Sequence, residues 1–350
     1  MFSNTSIAAM SFFGGGNMVV NDPGFIVGPL AGFFGAILNA IFNFVNGFAA
    51  SNVLGISIVL LTIFVRVIML PLAIKMQKSM IAMQALAPEM NKIKKKYEGN
   101  KSRENQQKMN AEVQALYAKN KVNPFGGCLP LLVQMPIFIA LMFIMQQPYR
   151  YVTEVGTVFN RISAQVLGLL DTMGRDAYIE LARTHFDPKI PSSVTHLNAG
   201  VASDIETIVS RFSADEWSAF IADIPADIPA DMQSAMYELI AQKDALEMFF
   251  GINLSQLSGI ALPGVIIPIL AAITTFLSSY FMTKISSSMM TDPMQKQMQK
   301  VMLYAMPFML GFFTINFPAG VGVYWIASSI FQFVQQIILN KLYLKPTQQS

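Results

Sequence analysis

Residues 53–74 read VLGISIVLLTIFVRVIMLPLAI, an apolar stretch in which Arg66 is the single charged residue. The hydrocarbon core of a bilayer is about 30 Å thick, and a helix needs about 20 residues to cross it. The stretch is therefore predicted to span a membrane. The composition agrees, because 53% of the 350 residues are hydrophobic and 13% are charged, whereas soluble domains carry about 25% charged residues.

Four further apolar stretches predict additional spans. They cover residues 128–147, 260–283, 301–317 and 320–339. Residues 316–320 (NFPAG) join the last two, and their proline and glycine indicate a tight turn between two helices. The predicted fold class is thus an all-α membrane protein with five transmembrane helices.

The charges between the spans predict their orientation. Residues 75–121 carry 11 Lys/Arg against 4 Asp/Glu, whereas residues 151–258 carry 6 Lys/Arg against 15 Asp/Glu. Basic segments stay in the cytoplasm. The connection 284–300 and the tail 341–350 also carry lysines, so we predict an N-terminus outside the cell and a C-terminus in the cytoplasm.

The N-terminal region holds one more apolar segment. We predict residues 1–24 to be extracytoplasmic and residues 25–50 to form an interfacial amphipathic helix. Its three asparagines recur at helical spacing on one side, as in a helix that lies in the membrane surface. The segment is also long enough to be a sixth span, which would place the N-terminus inside. The asparagines are Asn39, Asn43 and Asn46.

Two polar regions flank the second span. Residues 75–121 are predicted to form a cytoplasmic helical hairpin, and the insert 151–258 to form a mostly helical extracytoplasmic domain. Methionines line one side of the first hairpin helix, where their flexible thioethers suit varied apolar partners. Alternatively, this stripe packs on the second hairpin helix. Its members are Met76, Met80, Met83 and Met90.

Arg66 is the candidate functional residue within the membrane. It lies nine residues before Lys75, and at 1.5 Å per residue this places it about 13 Å from the cytoplasmic end of the span. An arginine there costs about 2.5 to 3.5 kcal/mol on insertion scales, so polar groups must accompany it. The spans supply Thr62, Gln134, Thr274, Thr275, Ser278, Ser279, Ser328, Gln332 and Gln335.

These side chains predict a hydrated cavity among the helices. None of the predicted spans contains Asp or Glu, so an anionic group of a passing substrate could serve as the counter-ion of Arg66. The alternative is that helix carbonyls and hydroxyls hold the arginine only to fix packing.

Several function classes are disfavoured. A single cysteine excludes an intramolecular disulfide, and two histidines leave little for a zinc site,. The chain has no GxSxG or HExxH motif and no histidine in a span, so we expect no enzyme, metal or cofactor. A small-solute transporter stays the alternative, although the paired repeats typical of transporters are not found.

Three motifs resemble one known family. Residues 123–141 read NPFGGCLPLLVQMPIFIAL, residues 291–294 read TDPM and residues 317–325 read FPAGVGVYW. They are similar to the signature stretches of the YidC insertases and their mitochondrial and chloroplast relatives. The form resembled is the bacterial, Gram-positive-like one that lacks a large N-terminal periplasmic domain.

The resemblance implies a function and partners. Five helices would surround a hydrophilic groove, open to cytosol and lipid, in which Arg66 receives the polar tail of a nascent membrane protein. Gln134 and Trp325 lie in matching motifs and are groove candidates, while Ser279 stands where many relatives have glutamine. The implied partners are membrane lipids, the ribosome, the signal recognition particle pathway and the Sec translocon, with no direct nucleic-acid contact.

Overall fold

The structure, a computed structural model, describes residues 24–99, 102–122, 129–174, 177, 184, 213–225, 228–286 and 293–343. Residues 1–23 of the predicted N-terminal segment, 287–292 of the 284–300 connection and 344–350 of the tail lie outside these residues, as do Cys128 and the side chain of Met80. The described chain is mainly helical, as the apolar stretches predict.

The elements follow one another along the chain as helices with one short hairpin of strands. They are α1 (Gly24–Asn46), α2 (Val53–Ala85), α3 (Ala87–Lys96), α4 (Arg103–Lys119), α5 (Leu129–Gln146), α6 (Pro148–Tyr151), α7 (Thr153–Met173), α8 (Ala214–Ala222), α9 (Ala230–Glu247), β1 (Met248–Phe249), β2 (Ile252–Asn253), α10 (Ile266–Ser286), α11 (Pro293–Ile315) and α12 (Ala319–Tyr343).

All five predicted spans fall on helices, although the helix ends differ from the predicted ends. The first-span helix α2 continues past Pro71 and ends at Ala85, because the residues after Ile74 are mostly good helix formers such as Lys, Met, Gln and Ala. The helix α10 begins at Ile266, after Pro263 and Gly264, rather than at 260. The helix α11 begins at Pro293, a residue suited to the first helical turn,.

Helix length and hydropathy identify candidate spans in the described part of the chain. Val27–Asn46, Val53–Met83 and Ala319–Leu339 are long and apolar enough to cross a membrane. Shorter apolar helices cover Val133–Gln146, Ile266–Phe281 and Leu303–Ile315. The segment 25–50 is thus long and apolar enough to be a span, and both the interfacial and the spanning interpretation stay open. The count of five spans stays a prediction.

The described chain divides into two compact units, the first formed by residues 1–61, 139–265 and 315–321. In this unit, α1 packs on α6, with Gly35 against the ring of Tyr151. The side chain of Asn39 accepts a hydrogen bond from the backbone N–H of Thr153 at 2.9 Å. One of the three asparagines therefore bonds to another part of the protein. Asn43 and Asn46 are exposed.

The described part of the acidic insert has a core of its own within the first unit. Helix α9 packs against α7 and α8. An apolar stripe of α7 is buried, and the rings of Trp217 and Phe220 are fully buried and meet edge to face at 5.5 Å. The described part of the insert is thus helical, and the extracytoplasmic domain stays a prediction.

A backbone clasp joins residues 254–259, at the end of the insert, to residues 315–320, where α11 ends and α12 begins. Gly320 and Ala319 donate to the carbonyls of Leu254 and Gln256, each at 2.8 Å. Ser258 and Gly259 donate to Phe317 and Ile315 at 3.1 and 3.0 Å. The predicted tight turn at 316–320 is therefore held by hydrogen bonds to the end of the insert.

The second unit is formed by residues 62–138, 266–314 and 322–350. It contains the hairpin of α3 and α4. At the base of the hairpin, α2 gives way to α3 at Leu86, directly before Ala87 and Pro88. The first arm of the hairpin is therefore built from the end of α2 together with α3, and not from one helix as predicted.

A buried ion pair in α9 generates a stability prediction. Lys243 donates to Glu247 at 2.9 Å, with side chains only 3% and 1% exposed. The substitution Lys243→Met leaves a buried carboxylate without its cation, so we expect a loss of about 3 to 5 kcal/mol of unfolding free energy. Denaturant unfolding in detergent, followed by Trp217 emission, measures it.

Two control variants test whether the stability loss of Lys243→Met comes from the buried charge. The double variant Lys243→Met/Glu247→Leu should unfold close to wild type, because an apolar pair can replace a buried ion pair. The variant Lys108→Ala breaks the exposed pair with Glu104 and should cost less than about 1 kcal/mol. A Lys243→Met protein as stable as wild type would contradict the assigned burial.

Candidate functional site

Arg66 of α2 is half-buried and bonded to a serine of α12. Its Nε donates to Oγ of Ser328 at 2.9 Å, and its Nη2 donates to the same oxygen. Ser328 is buried. The guanidinium therefore meets a neutral acceptor, and its positive charge is not cancelled by this contact.

Further hydroxyls are buried in the same unit. Thr62 lies one helical turn before Arg66 on α2 and is fully buried. On α10, Ser278 is buried, and Thr275 lies 3.3 Å from Ser329 of α12, oxygen to oxygen. We call these residues the polar cluster; its members are Thr62, Arg66, Thr275, Ser278, Ser328 and Ser329.

A second set of contacts joins α5 to α12. The amide nitrogen of Gln134 donates to the hydroxyl of Tyr324, which is buried. One turn further along α5, Phe138 meets Trp325 edge to face, with ring centroids 5.3 Å apart. The two residues that the family motif selected, Gln134 and Trp325, are thus both in contact across the same pair of helices.

For three other predicted site residues, Thr274, Ser279 and Gln332, we describe no contact with Arg66. The hydroxyl of Thr274 donates to the carbonyls of Leu270 and Ala271 within its own helix, at 2.8 and 3.3 Å. Ser279 and Gln332 are half-buried. Gln332 follows Ser328 by one turn of α12, so it lies on the same side of that helix.

Two residues of the site were not among the predicted ones. Tyr324 and Ser329 lie in or near the quoted motif of α12. Tyr324, Ser328 and Gln332 recur every four residues, so the helical period could have identified the tyrosine. Ser329 could not be chosen over its neighbours, because its contact with Thr275 depends on how α10 and α12 pack.

Some methionines of the stripe at the start of the hairpin are buried in the protein. Met76 is buried and Met83 half-buried. Met90 is 3% exposed and belongs to an apolar cluster with Leu86 and Leu116. Met90 therefore packs on the second hairpin helix, as the alternative interpretation of the stripe expected. It also accepts a hydrogen bond from the hydroxyl of Tyr117 at 3.0 Å.

An exposed ion pair also connects the two arms of the hairpin. Lys96 donates to Glu112 at 2.6 Å, and the hydroxyl of Tyr97 donates to the same carboxylate at 2.8 Å. These two hydrogen bonds lower the pKa of Glu112. Their stabilising effect is present above the pKa of the unfolded chain and is lost as the pH falls through the folded value.

Comparison with known proteins identifies the family. The sequence pattern of the 60Kd inner membrane protein family matches residues 45–199 and 224–347, which is most of the chain. The chain belongs to this family, the YidC/Oxa membrane protein insertases. It is a multi-pass protein of the cell membrane, and the transporter alternative has no support.

Individual relatives carry the same name. The chain is 28% identical over 312 residues to the membrane protein insertase YidC of Oceanobacillus iheyensis, covering 87% of this chain and 84% of the relative. It is 27% identical over 286 residues to the membrane protein insertase MisCA of Bacillus subtilis, covering 82% and 70%. A shorter match of 117 residues, 33% of this chain and 52% of the relative, is 44% identical to YidC of Fusobacterium nucleatum.

The hairpin of this insertase provides the next prediction. The substitution Met90→Ala removes a buried side chain and should cost about 2 to 5 kcal/mol locally. Hydrogen exchange read by mass spectrometry should then show faster exchange throughout α3 and α4. The variant Lys96→Ala, which removes an exposed partner, should exchange like wild type, and equal exchange in both variants would contradict the assigned core.

Proposed function

We propose that the polar cluster around Arg66 receives the hydrophilic tail of a nascent membrane protein while the adjoining apolar segment of that protein enters the lipid. The observation that carries this proposal is the contact of Arg66 with a neutral hydroxyl. A carboxylate of the tail would replace Ser328 as acceptor with a charge-assisted bond, which is roughly twice as strong as a neutral one.

The depth of the cluster supports this role. Arg66 is nine residues from the start of the basic segment, so a tail that reaches it has passed about 13 Å along the axis of α2. The remaining apolar barrier is shorter than the full bilayer. Ser328, which bonds to Arg66, and Thr62, one helical turn before it on α2, add hydroxyl groups near the arginine.

Apolar surfaces in the same unit offer a path for the hydrophobic segment. The helices α10 and α12 expose large apolar side chains, and contact with them would keep the segment out of water. Transfer of this segment into lipid supplies about 25 cal/mol per Å² of apolar surface, so no nucleotide is required by the insertase itself. The exposed side chains include Ile269, Ile273, Leu277, Ile330, Val334 and Ile338.

The charge distribution supports the proposed orientation and partners. The basic hairpin would face the cytoplasm, where the ribosome, the signal recognition particle pathway or the Sec translocon delivers substrates. The acidic insert would lie outside. Insertion of acidic tails would also be assisted by the membrane potential, which contributes about 2.3 kcal/mol per charge per 100 mV.

Reconstitution tests the role of Arg66. Liposomes that contain only this protein should protect the tail of a single-span substrate with a short acidic N-terminal tail from protease. Arg66→Ala should reduce that protection at least tenfold, because the counter-ion of the tail is gone. A substrate with an uncharged tail is the matched control and should lose much less; equal losses for both tails would contradict the proposal.

Accessibility of introduced cysteines tests the orientation. In a Cys128→Ser background, Glu98→Cys places a thiol on the hairpin and Asp223→Cys places one on the insert, both at exposed positions. A membrane-impermeant maleimide added to intact cells should label Asp223→Cys and leave Glu98→Cys unlabelled until the cells are opened. The reverse pattern would overturn the proposed orientation.

A further inference from the structure

The last residues of the insert and the residues that lead from it into α10 expose large apolar side chains. Phe250 is 79% exposed, Ile260 and Leu262 are each 78% exposed, and Leu257 is 55% exposed. We call these four residues the apolar rim. Phe250 and Leu257 belong to the end of the acidic insert, and Ile260 and Leu262 to the residues between it and α10.

Phe250 is held at the beginning of the first span by a strained backbone. Its φ of 49° is in the left-handed region, which is rare and costly for a bulky residue. Its backbone N–H donates to the side chain of Asn52 at 2.7 Å, and Asn52 directly precedes the first residue of α2. The neighbouring ring of Phe249 lies against Gly55, which fixes the tip of the β1–β2 hairpin beside the first turn of α2.

Ile260 is held at the end of the fourth span by the clasp. The residue before it, Gly259, donates to the carbonyl of Ile315, the last residue of α11, at 3.0 Å. The backbone of Ser258 donates to Phe317 at 3.1 Å. Ile260 and Leu262 are therefore anchored at the level where α11 ends, and they expose most of their surface there.

We propose that the apolar rim inserts into the lipid at the boundary between headgroups and acyl chains, and so seats the acidic insert on the membrane surface. Hydrogen bonds of Phe250 and Gly259 hold the rim beside the start of α2 and the end of α11, two apolar helices that expose large side chains such as Ile63 and Phe308.

The charge of the insert favours apolar over electrostatic attachment. Residues 151–258 carry 15 Asp/Glu against 6 Lys/Arg, and an anionic leaflet repels such a domain. Exposed Phe, Ile and Leu side chains provide attachment that does not depend on charge. The inference concerns whichever face of the membrane the insert occupies, and it does not depend on the role of Arg66.

Spin labels on single cysteines test the proposal. The chain has one cysteine, so Cys128→Ser gives a background for Phe250→Cys, Ile260→Cys and the control Tyr237→Cys. Tyr237 lies on α9 of the same insert and is 42% exposed. In liposomes, the ratio of collisions with oxygen to collisions with a water-soluble nickel chelate should be several-fold higher at positions 250 and 260 than at position 237.

The outcomes separate lipid contact from simple exposure. A ratio at position 250 or 260 equal to that at position 237 would overturn the proposal, as would a high ratio that is lost in high salt. Ile260→Cys gives a reading that does not involve the left-handed backbone of Phe250, so a folding defect of the Phe250 variant leaves the test intact. Buried Trp217 emission reports whether each labelled protein is folded.

Discussion

The cost of an arginine inside the bilayer is the constraint to which the rest of the structure responds. Arg66 keeps its charge at a depth where lipid offers no hydrogen bonds, so the helices must provide polar groups. The structure does this with hydroxyls, and Ser328 accepts two N–H donors from the one guanidinium. Because these partners are neutral, the site remains positive and can attract an anion.

Backbone hydrogen bonding is a second constraint, and the chain satisfies it in two ways. Helix α2 continues beyond its apolar stretch as a polar helix that ends at Ala85. In the first unit, the clasp holds the turn at 315–320 by backbone hydrogen bonds. Unpaired backbone groups near lipid are expensive, and the clasp satisfies several of them.

The apolar stretches of the sequence all fall on helices, because a stretch of about 20 apolar residues has few structural alternatives; that five of them span the membrane stays a prediction. Their exact ends depended on propensity near the membrane surface, so the continuation of α2 beyond Ile74 and the late start of α10 at Ile266 were missed. Arg66 was identifiable as a charge in an apolar run. The pairing of Gln134 with Tyr324 and of Thr275 with Ser329 required knowledge of helix packing, which periodicity alone does not provide.

The most direct test of the central claim is photo-crosslinking from two positions of α12. A photoreactive residue at Gln332, which is half-buried and one turn from Ser328, is compared with one at Ile330, which is 50% exposed. With a stalled substrate that carries a short acidic tail, the account predicts crosslinks from Gln332 to the tail and from Ile330 to the apolar segment. Crosslinks to the tail that are equal from both positions, or found only from Ile330, would contradict it.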